Sequence, residues 1–380
     1  MRLKKNKTRW VPPYERMVVR LRDLVCAQEK STDAFLGTEV ALAETNGVSR
    51  MTMRKAVNAL VAEGLVERRA GVGLFVRRAE STGYVCRALF GNLFWDPAIK
   101  SAGAMRRAAE KVGAQIEYFD AGGDEERFLR EIAALPTSGA KGAVIFSQHG
   151  KAFDAAVRTL AQKGFPFVVI DEAVEVEGVA SVVSDNRMGG VLAGAELLNA
   201  GHRELAFVGD VASDTVARRW MGFETECRAH GVKPRKYDVR SARRFGDWTD
   251  EVRTIVERIL RLKVRPTAVF CSCDAIARIV MRRLAEAGVR SPEDVSLVGF
   301  DDDPIAEWTT PALTTIRQDF ALMGRRAFET LVRRVAHHPS CTGGMEVLPV
   351  ALIRRESVCR ATTQKGCPTT ETKHPKGKRK

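Results

Sequence analysis

No apolar run in this 380-residue chain approaches the roughly 18–20 residues that a membrane-spanning helix needs. The opening Met-Arg-Leu-Lys-Lys-Asn-Lys leads into no apolar core, so neither a secretory signal nor a membrane partner is expected, and the expected location is the cytoplasm. The cysteines (Cys26, Cys86, Cys227, Cys271, Cys273, Cys341, Cys359 and Cys367) are scattered without a Cys-x-x-Cys pair, which favours reduced thiols over a disulfide framework or a metal site. Phosphate-binding loops are missing as well. The first strand-to-helix turn reads Phe90-Gly91-Asn92-Leu93-Phe94-Trp95, which is not Gly-x-Gly-x-x-Gly, and no Gly-x-x-x-x-Gly-Lys-Ser/Thr loop follows. Without a Gly-x-Ser-x-Gly elbow or catalytically spaced carboxylates and histidines, a non-enzyme with no cofactor is expected.

Excess charge is missing from the middle of the chain. Residues 1–80 carry a net +7 and residues 360–380 a net +6, leaving only +1 of the total +14 for the rest. A uniformly basic chain would imply nonspecific polyanion binding. A basic head on a near-neutral body implies a DNA module joined to something that binds another ligand.

The head has the matching pattern. Tyr14, Met17, Val18, Leu21 and Leu24 repeat at helical spacing and predict one apolar stripe. A short helix over 39–45 breaks at Asn46-Gly47, a pair suited to a tight turn. A second helix opens at Ser49, whose hydroxyl can cap its first turn. On it Met53, Ala56, Val57, Leu60 and Val61 form a core face, and Arg50, Arg54, Lys55 and Asn58 a basic free face. Gly64 is placed to end that helix. Residues 65–69 and 74–77 then flank Ala70-Gly71-Val72-Gly73, a hairpin with a tight tip. Two helices joined by a tight turn, the second basic, are what a major-groove reader requires.

Gly-Val-Ser-Arg-Met-Thr-Met-Arg (47–54), the 63–69 run and the 71–76 run resemble the GntR family of bacterial regulators. The resemblance implies a winged helix-turn-helix over 10–77, with Ser49, Arg50, Thr52, Arg54 and the neighbouring Lys55 toward DNA and Gly71 and Gly73 at the wing tip. One departure is Val40, where many members carry arginine.

From Gly83 onward short apolar runs (84–90, 115–119, 143–146, 167–170, 205–208, 268–271, 295–300) alternate with amphipathic stretches (98–112, 153–162, 188–198, 252–262, 275–287). Such alternation predicts an α/β fold with parallel sheets, here in two blocks split near 183–200, with a small ligand at the strand ends of a cleft between two lobes. The runs 199–209, 219–223, 292–302 and 310–320 resemble the effector domain of the LacI/GalR family, which shares its fold with periplasmic sugar-binding proteins. The domain would span 84–358, after a linker at 78–83 too short for the hinge helix of LacI proteins, and before a basic tail at 359–380 expected to be disordered from Ala361.

By this resemblance Asp171, Arg219, Trp248, Asp301 and Phe320 line the ligand cleft, with Cys273, Asp274 and Gln318 close by. The chemistry suits a sugar: Arg219 offers a planar fork of donors, the aspartates accept, and the rings cover a C–H face. Each has a plainer alternative. Arg219 could lie on the surface beside Arg218, Trp248 could be core packing, and His202 reads as structural. Cys273 stands where the family usually has asparagine, so the common hexose pattern does not transfer. The implied protein is a homodimeric, sugar-responsive repressor that reads a palindromic DNA operator, with 188–198 and 216–229 as dimer helices. The competing reading is a sugar receptor of a transport or signalling system, which would require a signal peptide and leave the wing without a use.

Overall fold

In the computed structural model the described residues are 14, 17–18, 20–21, 24–25, 34–62, 66–76, 84–148, 150–239, 248–336 and 343–361. Gly64, the linker at 78–83, three of the cysteines (Cys26, Cys341, Cys367) and the tail after Ala361 lie outside them.

The head is a small helical core closed by a three-stranded sheet. Thr38 caps helix Glu39–Thr45 by accepting from the Ala41 amide at 3.1 Å. Gly47 takes φ 61° in the turn, and helix Arg50–Ala62 follows. As the spacing predicts, Met53, Ala56, Val57 and Leu60 are buried. The apolar stripe ahead of them is rotated from the expected one. Met17, Val18, Leu21 and Val25 are buried, whereas Tyr14 and Leu24 are exposed. Strands Val66–Arg69 and Gly73–Val76 pair antiparallel as the wing, and Phe35–Gly37 adds a third strand that the sequence pattern did not signal.

The chain divides into two compact units, the head belonging with the first, and here the two-block expectation needs correction. Helix Phe320–Ala336 and strand Met345–Leu348 return to the first unit, and the chain from Val350 rejoins the second. The lobes are therefore interleaved in sequence. The first sheet runs Gln115–Asp120, Val85–Phe90, Gly142–Phe146, Phe167–Ile170, Ala180–Ser184, Met345–Leu348, all parallel. The second runs Arg235–Asp238, Leu205–Gly209, Ala268–Cys271, Ser296–Asp301, Thr314–Arg317, Ala351–Ile353. Its last strand pairs antiparallel with Thr314–Arg317. Both sheets repeat one topology, so the ends of Phe167–Ile170 and Ser296–Asp301 are equivalent places.

In the second unit, helices Asn186–Asn199 and Asp214–Ala229 touch backbone to backbone. A Cβ on Gly190 would lie 2.0 Å from the Arg219 carbonyl oxygen, and one on Gly222 would lie 1.9 Å from that of Arg187. Alanine ordinarily stabilises a helix interior by roughly 0.5–1 kcal/mol over glycine. Here Gly222→Ala should instead destabilise the protein by about 2–3 kcal/mol, because the crossing must open. Urea titration checks this, and a variant as stable as the parent would contradict the packing.

His202 is structural, as its sequence context indicated. Its ring meets Thr267 Oγ1 at 2.9 Å, Ser296 Oγ at 3.1 Å and the Cys359 carbonyl at 3.0 Å. Burial holds its pKa below the ordinary 6.5. The unfolded chain therefore takes up a proton that the folded one refuses, and this contribution to stability is lost as pH falls below about 6.5. Unfolding midpoints measured downward from neutral pH should decline, less so in His202→Gln.

Candidate functional site

The head's second helix presents its basic side outward. Arg50, Arg54, Lys55 and Asn58 are exposed opposite the buried Met53–Leu60 face. Ser49 Oγ accepts from the Thr52 amide at 3.1 Å and lies 2.8 Å from Thr52 Oγ1, so these two side chains brace the helix start as well as standing on the free face. Gly71 and Gly73 adopt φ 73° and 140° at the wing tip. Gly73 also has no room for a side chain, since a Cβ there would sit 2.6 Å from the Phe35 ring. Between the glycines, Val72 is exposed.

In the second unit three carboxyl-end segments converge. Ser272 and Cys273 follow strand Ala268–Cys271, Asp301 ends Ser296–Asp301, and Gln318 follows Thr314–Arg317. Arg219, buried on helix Asp214–Ala229, reaches into them. Its Nε donates to Asn186 Oδ1 at 2.8 Å and its Nη1 to the Ser272 carbonyl at 2.5 Å. Nη1 lies 3.6 Å from Asp301 Oδ1, and the guanidinium stacks 3.7 Å above the Phe300 ring. Gln318 Nε2 donates to Asp301 Oδ1 at 2.7 Å. Burial pushes the Asp301 carboxyl well above the carboxylate range, with Arg219 pulling the other way. Asp301 is also held at φ 110°, a region a side chain seldom occupies without support. Gln318 Oε1 is buried without a hydrogen-bond partner among the described residues. The arrangement fixes a planar donor, an acceptor and an unfilled amide oxygen together, which is equipment for a ligand with O–H or N–H groups.

Not every sequence-predicted residue joins this cluster. Asp274 is fully buried and accepts from Thr315 Oγ1 at 2.6 Å and the Asp303 amide at 2.9 Å, tying its helix to strand Thr314–Arg317 and to the loop after Ser296–Asp301. Its carboxyl is raised to about 7 by burial. Cys273 is half-buried at the helix N-cap, and burial raises its thiol to about 12, so it stays protonated. Trp248 precedes helix Thr249–Leu260 and packs against the second unit's core, while the 245–247 part of its motif lies outside the described residues.

Two candidates fall in the first unit. Asp171 follows Phe167–Ile170 with φ 80°, the place equivalent to Asp301. Phe320 is only 2 % exposed and belongs to the first unit's core, where an apolar residue at a helix start serves packing and not an open ring face. Trp95, which the sequence did not single out, stands at the N-cap position of helix Asp96–Lys111, is partly exposed and sits edge-on to Phe146 at 5.6 Å. Phe94 beside it is 85 % exposed. The signal was the Phe94-Trp95 pair in the very turn used above to exclude a phosphate loop.

The family model for bacterial regulatory proteins of the gntR family matches residues 13–76. That for a periplasmic binding protein-like domain matches residues 195–358. The chain joins a GntR-type head to a periplasmic-binding-protein-like domain. The HTH-type transcriptional repressor PurR of Klebsiella pneumoniae is 35% identical over 197 residues, 51% of this chain and 56% of that protein. The chain thus spans about half the length of the curated relatives it matches. A LacI family transcriptional regulator from Enterococcus faecalis V583, solved with bound ribose, is 25% identical with a TM-score of 0.63, covering 73% of this chain and 100% of that one. The lac repressor dimer bound to operator and the anti-inducer ONPF is 22% identical with a TM-score of 0.61, covering 73% and 95%. That likeness shows the fold of the periplasmic-binding-protein-like domain. No helix among the described residues is long and apolar enough to cross a membrane.

Proposed function

We propose that this protein is a transcriptional repressor whose GntR-type head reads a DNA operator and whose periplasmic-binding-protein-like domain binds a small carbohydrate-like effector. The observation that carries the reading is the presence, on one chain, of an exposed basic recognition helix with its wing and a buried Arg219–Asp301–Gln318 cluster with an unfilled acceptor. Arg50 and Arg54 contact DNA, assisted by Ser49, Thr52, Lys55 and the wing tip at Gly71 and Gly73. Arg219, Asp301 and Gln318, all in the second unit, hold the effector's hydroxyls.

Two heads are needed, since one helix-turn-helix reads few base pairs, and a homodimer on a palindromic operator supplies them. The effector regulates by binding one arrangement of the heads more tightly than another. A pentose is the first ligand to try, because the similar Enterococcus faecalis regulator was solved with ribose. Selection of duplexes from a random library by the full-length chain tests the DNA half, and thermal shift against pentoses, hexoses, uronates and nucleosides tests the other. An enriched palindrome and a sugar-specific rise in melting temperature are expected. Enrichment of nothing, with a sugar still bound, would favour a receptor without a DNA role.

A further inference from the structure

Glu39 carries a charge that is wrong for a DNA-reading face. Glu39 opens the first helix of the motif, and its carboxylate lines a groove of about 600 Å³ together with Arg54, Asn58, Arg68, Gly71 and Val72. A carboxylate facing a polyanion repels it, and loses affinity unless it does something that compensates. Here it joins three elements. Glu39 Oε1 accepts from Arg68 Nε on the wing strand at 2.8 Å, and Oε2 lies 3.4 Å from Arg54 Nε on the recognition helix. Arg68 Nη2 also donates to Asn58 Oδ1 of that helix.

The atoms involved matter more than the charges. Glu39 hydrogen-bonds Arg68 through Nε and Asn58 holds its Nη2, which orients that guanidinium and leaves its Nη1 without a hydrogen-bond partner among the described residues, whereas Arg54 is only within ion-pair distance. A guanidinium pinned at one edge loses less freedom when its other edge grips an acceptor. Exposed ion pairs of this kind contribute little to stability, and these arginine side chains are 67% and 40% exposed. Holding the fold together is therefore a poor account of the network, and aiming the Arg68 guanidinium is a better one.

We propose that Glu39 is a positioning residue for DNA recognition, and that Arg68, held by Glu39 and Asn58, is a further DNA contact supplied by the wing strand. The proposal rests on the DNA-binding reading above. It makes a prediction opposite in sign to simple electrostatics, in which removing a negative charge tightens every DNA complex.

The test uses the full-length chain, the duplex it enriches from a random library, and a scrambled duplex of the same length and composition. Glu39→Gln should bind the selected duplex about tenfold more weakly, while binding the scrambled one as well as or better than the parent. Arg68→Gln should lose a similar factor, and the double variant should be no weaker than Arg68→Gln alone, since the two act as a unit. Tighter binding to both duplexes by Glu39→Gln, or losses that multiply in the double variant, would overturn the proposal. Should Glu39→Gln lower the melting midpoint, Glu39→Asp takes its place: it keeps the charge but shortens the reach. Lost discrimination at an unchanged midpoint then supports the proposal, and full discrimination overturns it. A library yielding no preferred duplex would remove the DNA reading itself, an outcome distinct from a preferred duplex that Glu39→Gln binds normally.

Discussion

Arg219→Ala should leave a protein that no longer responds to its effector, and one that is markedly less stable in its second unit. The guanidinium satisfies Asn186, the Ser272 carbonyl and Asp301 at once and covers the Phe300 ring. Removing it takes a buried donor from Asn186 Oδ1 and from the Ser272 carbonyl and a neighbouring charge from Asp301, a loss of roughly 1–3 kcal/mol for each buried group left unsatisfied. Effector affinity falls further, because each charge-assisted hydrogen bond to a ligand is worth roughly 1.5–3 kcal/mol, or about one to two decades. Arg219→Lys separates the two effects. It keeps the charge but not the fork, so it should fold and bind DNA while needing at least about tenfold more effector. Asp301→Ala should behave like Arg219→Ala in its response, with DNA affinity retained. Calorimetric titration of the folded variants with the sugar found in the thermal-shift panel measures this. Unchanged affinity in Arg219→Lys and Asp301→Ala would remove the cluster from the binding site.

Arg50→Ala combined with Arg54→Ala should weaken binding to the selected duplex by roughly a thousandfold, taking each base-directed arginine at about 1–3 kcal/mol. Both side chains lie on the exposed face of helix Arg50–Ala62, away from the buried Met53, Ala56, Val57 and Leu60, so the fold and the effector-induced thermal shift should survive. Salt gives an independent reading. Each phosphate neutralised contributes about −0.9 to the slope of log affinity against log salt, so the parent should show a steep slope and the variant a shallower one. Band shifts at several salt concentrations would show both, and intact affinity in the double variant would withdraw the recognition helix.

Much of this architecture is legible because local pattern and tertiary structure agree. The strand Phe167–Ile170 and the strand Ala268–Cys271 fall where their apolar runs lie, since a strand covered on both faces has little choice but continuous apolar sequence. The cap at Ser49 and the turn at Gly47 are likewise local chemistry. What escaped is set by distance along the chain. Nothing near helix Phe320–Ala336 says that it packs in the first unit, because its apolar stripe would suit either sheet. Phe320 is indistinguishable in sequence from a ligand-facing ring until its neighbours, which include Met105 and Ala327 of the same core, are known. Strand Phe35–Gly37 is too short to announce itself. The link from Glu39 to Arg68 spans 29 residues, and periodicity carries no information at that range. Arg219 and Asp301 came from motifs, yet their partner Asn186 did not, for an asparagine at a helix start reads first as a cap.

The central claim is that one ligand, bound in the periplasmic-binding-protein-like domain, changes the affinity of the head for DNA. Fluorescence anisotropy of the selected duplex, titrated with the full-length protein with and without saturating sugar from the thermal-shift panel, tests it most directly. Coupling between such sites is typically about 5–150-fold and must be reciprocal. The expected result is a change in DNA affinity within that range, matched by an equal change in sugar affinity when the duplex is present, and absent from Arg219→Lys at the same sugar concentration. A sugar that binds tightly while leaving DNA affinity untouched would contradict the account.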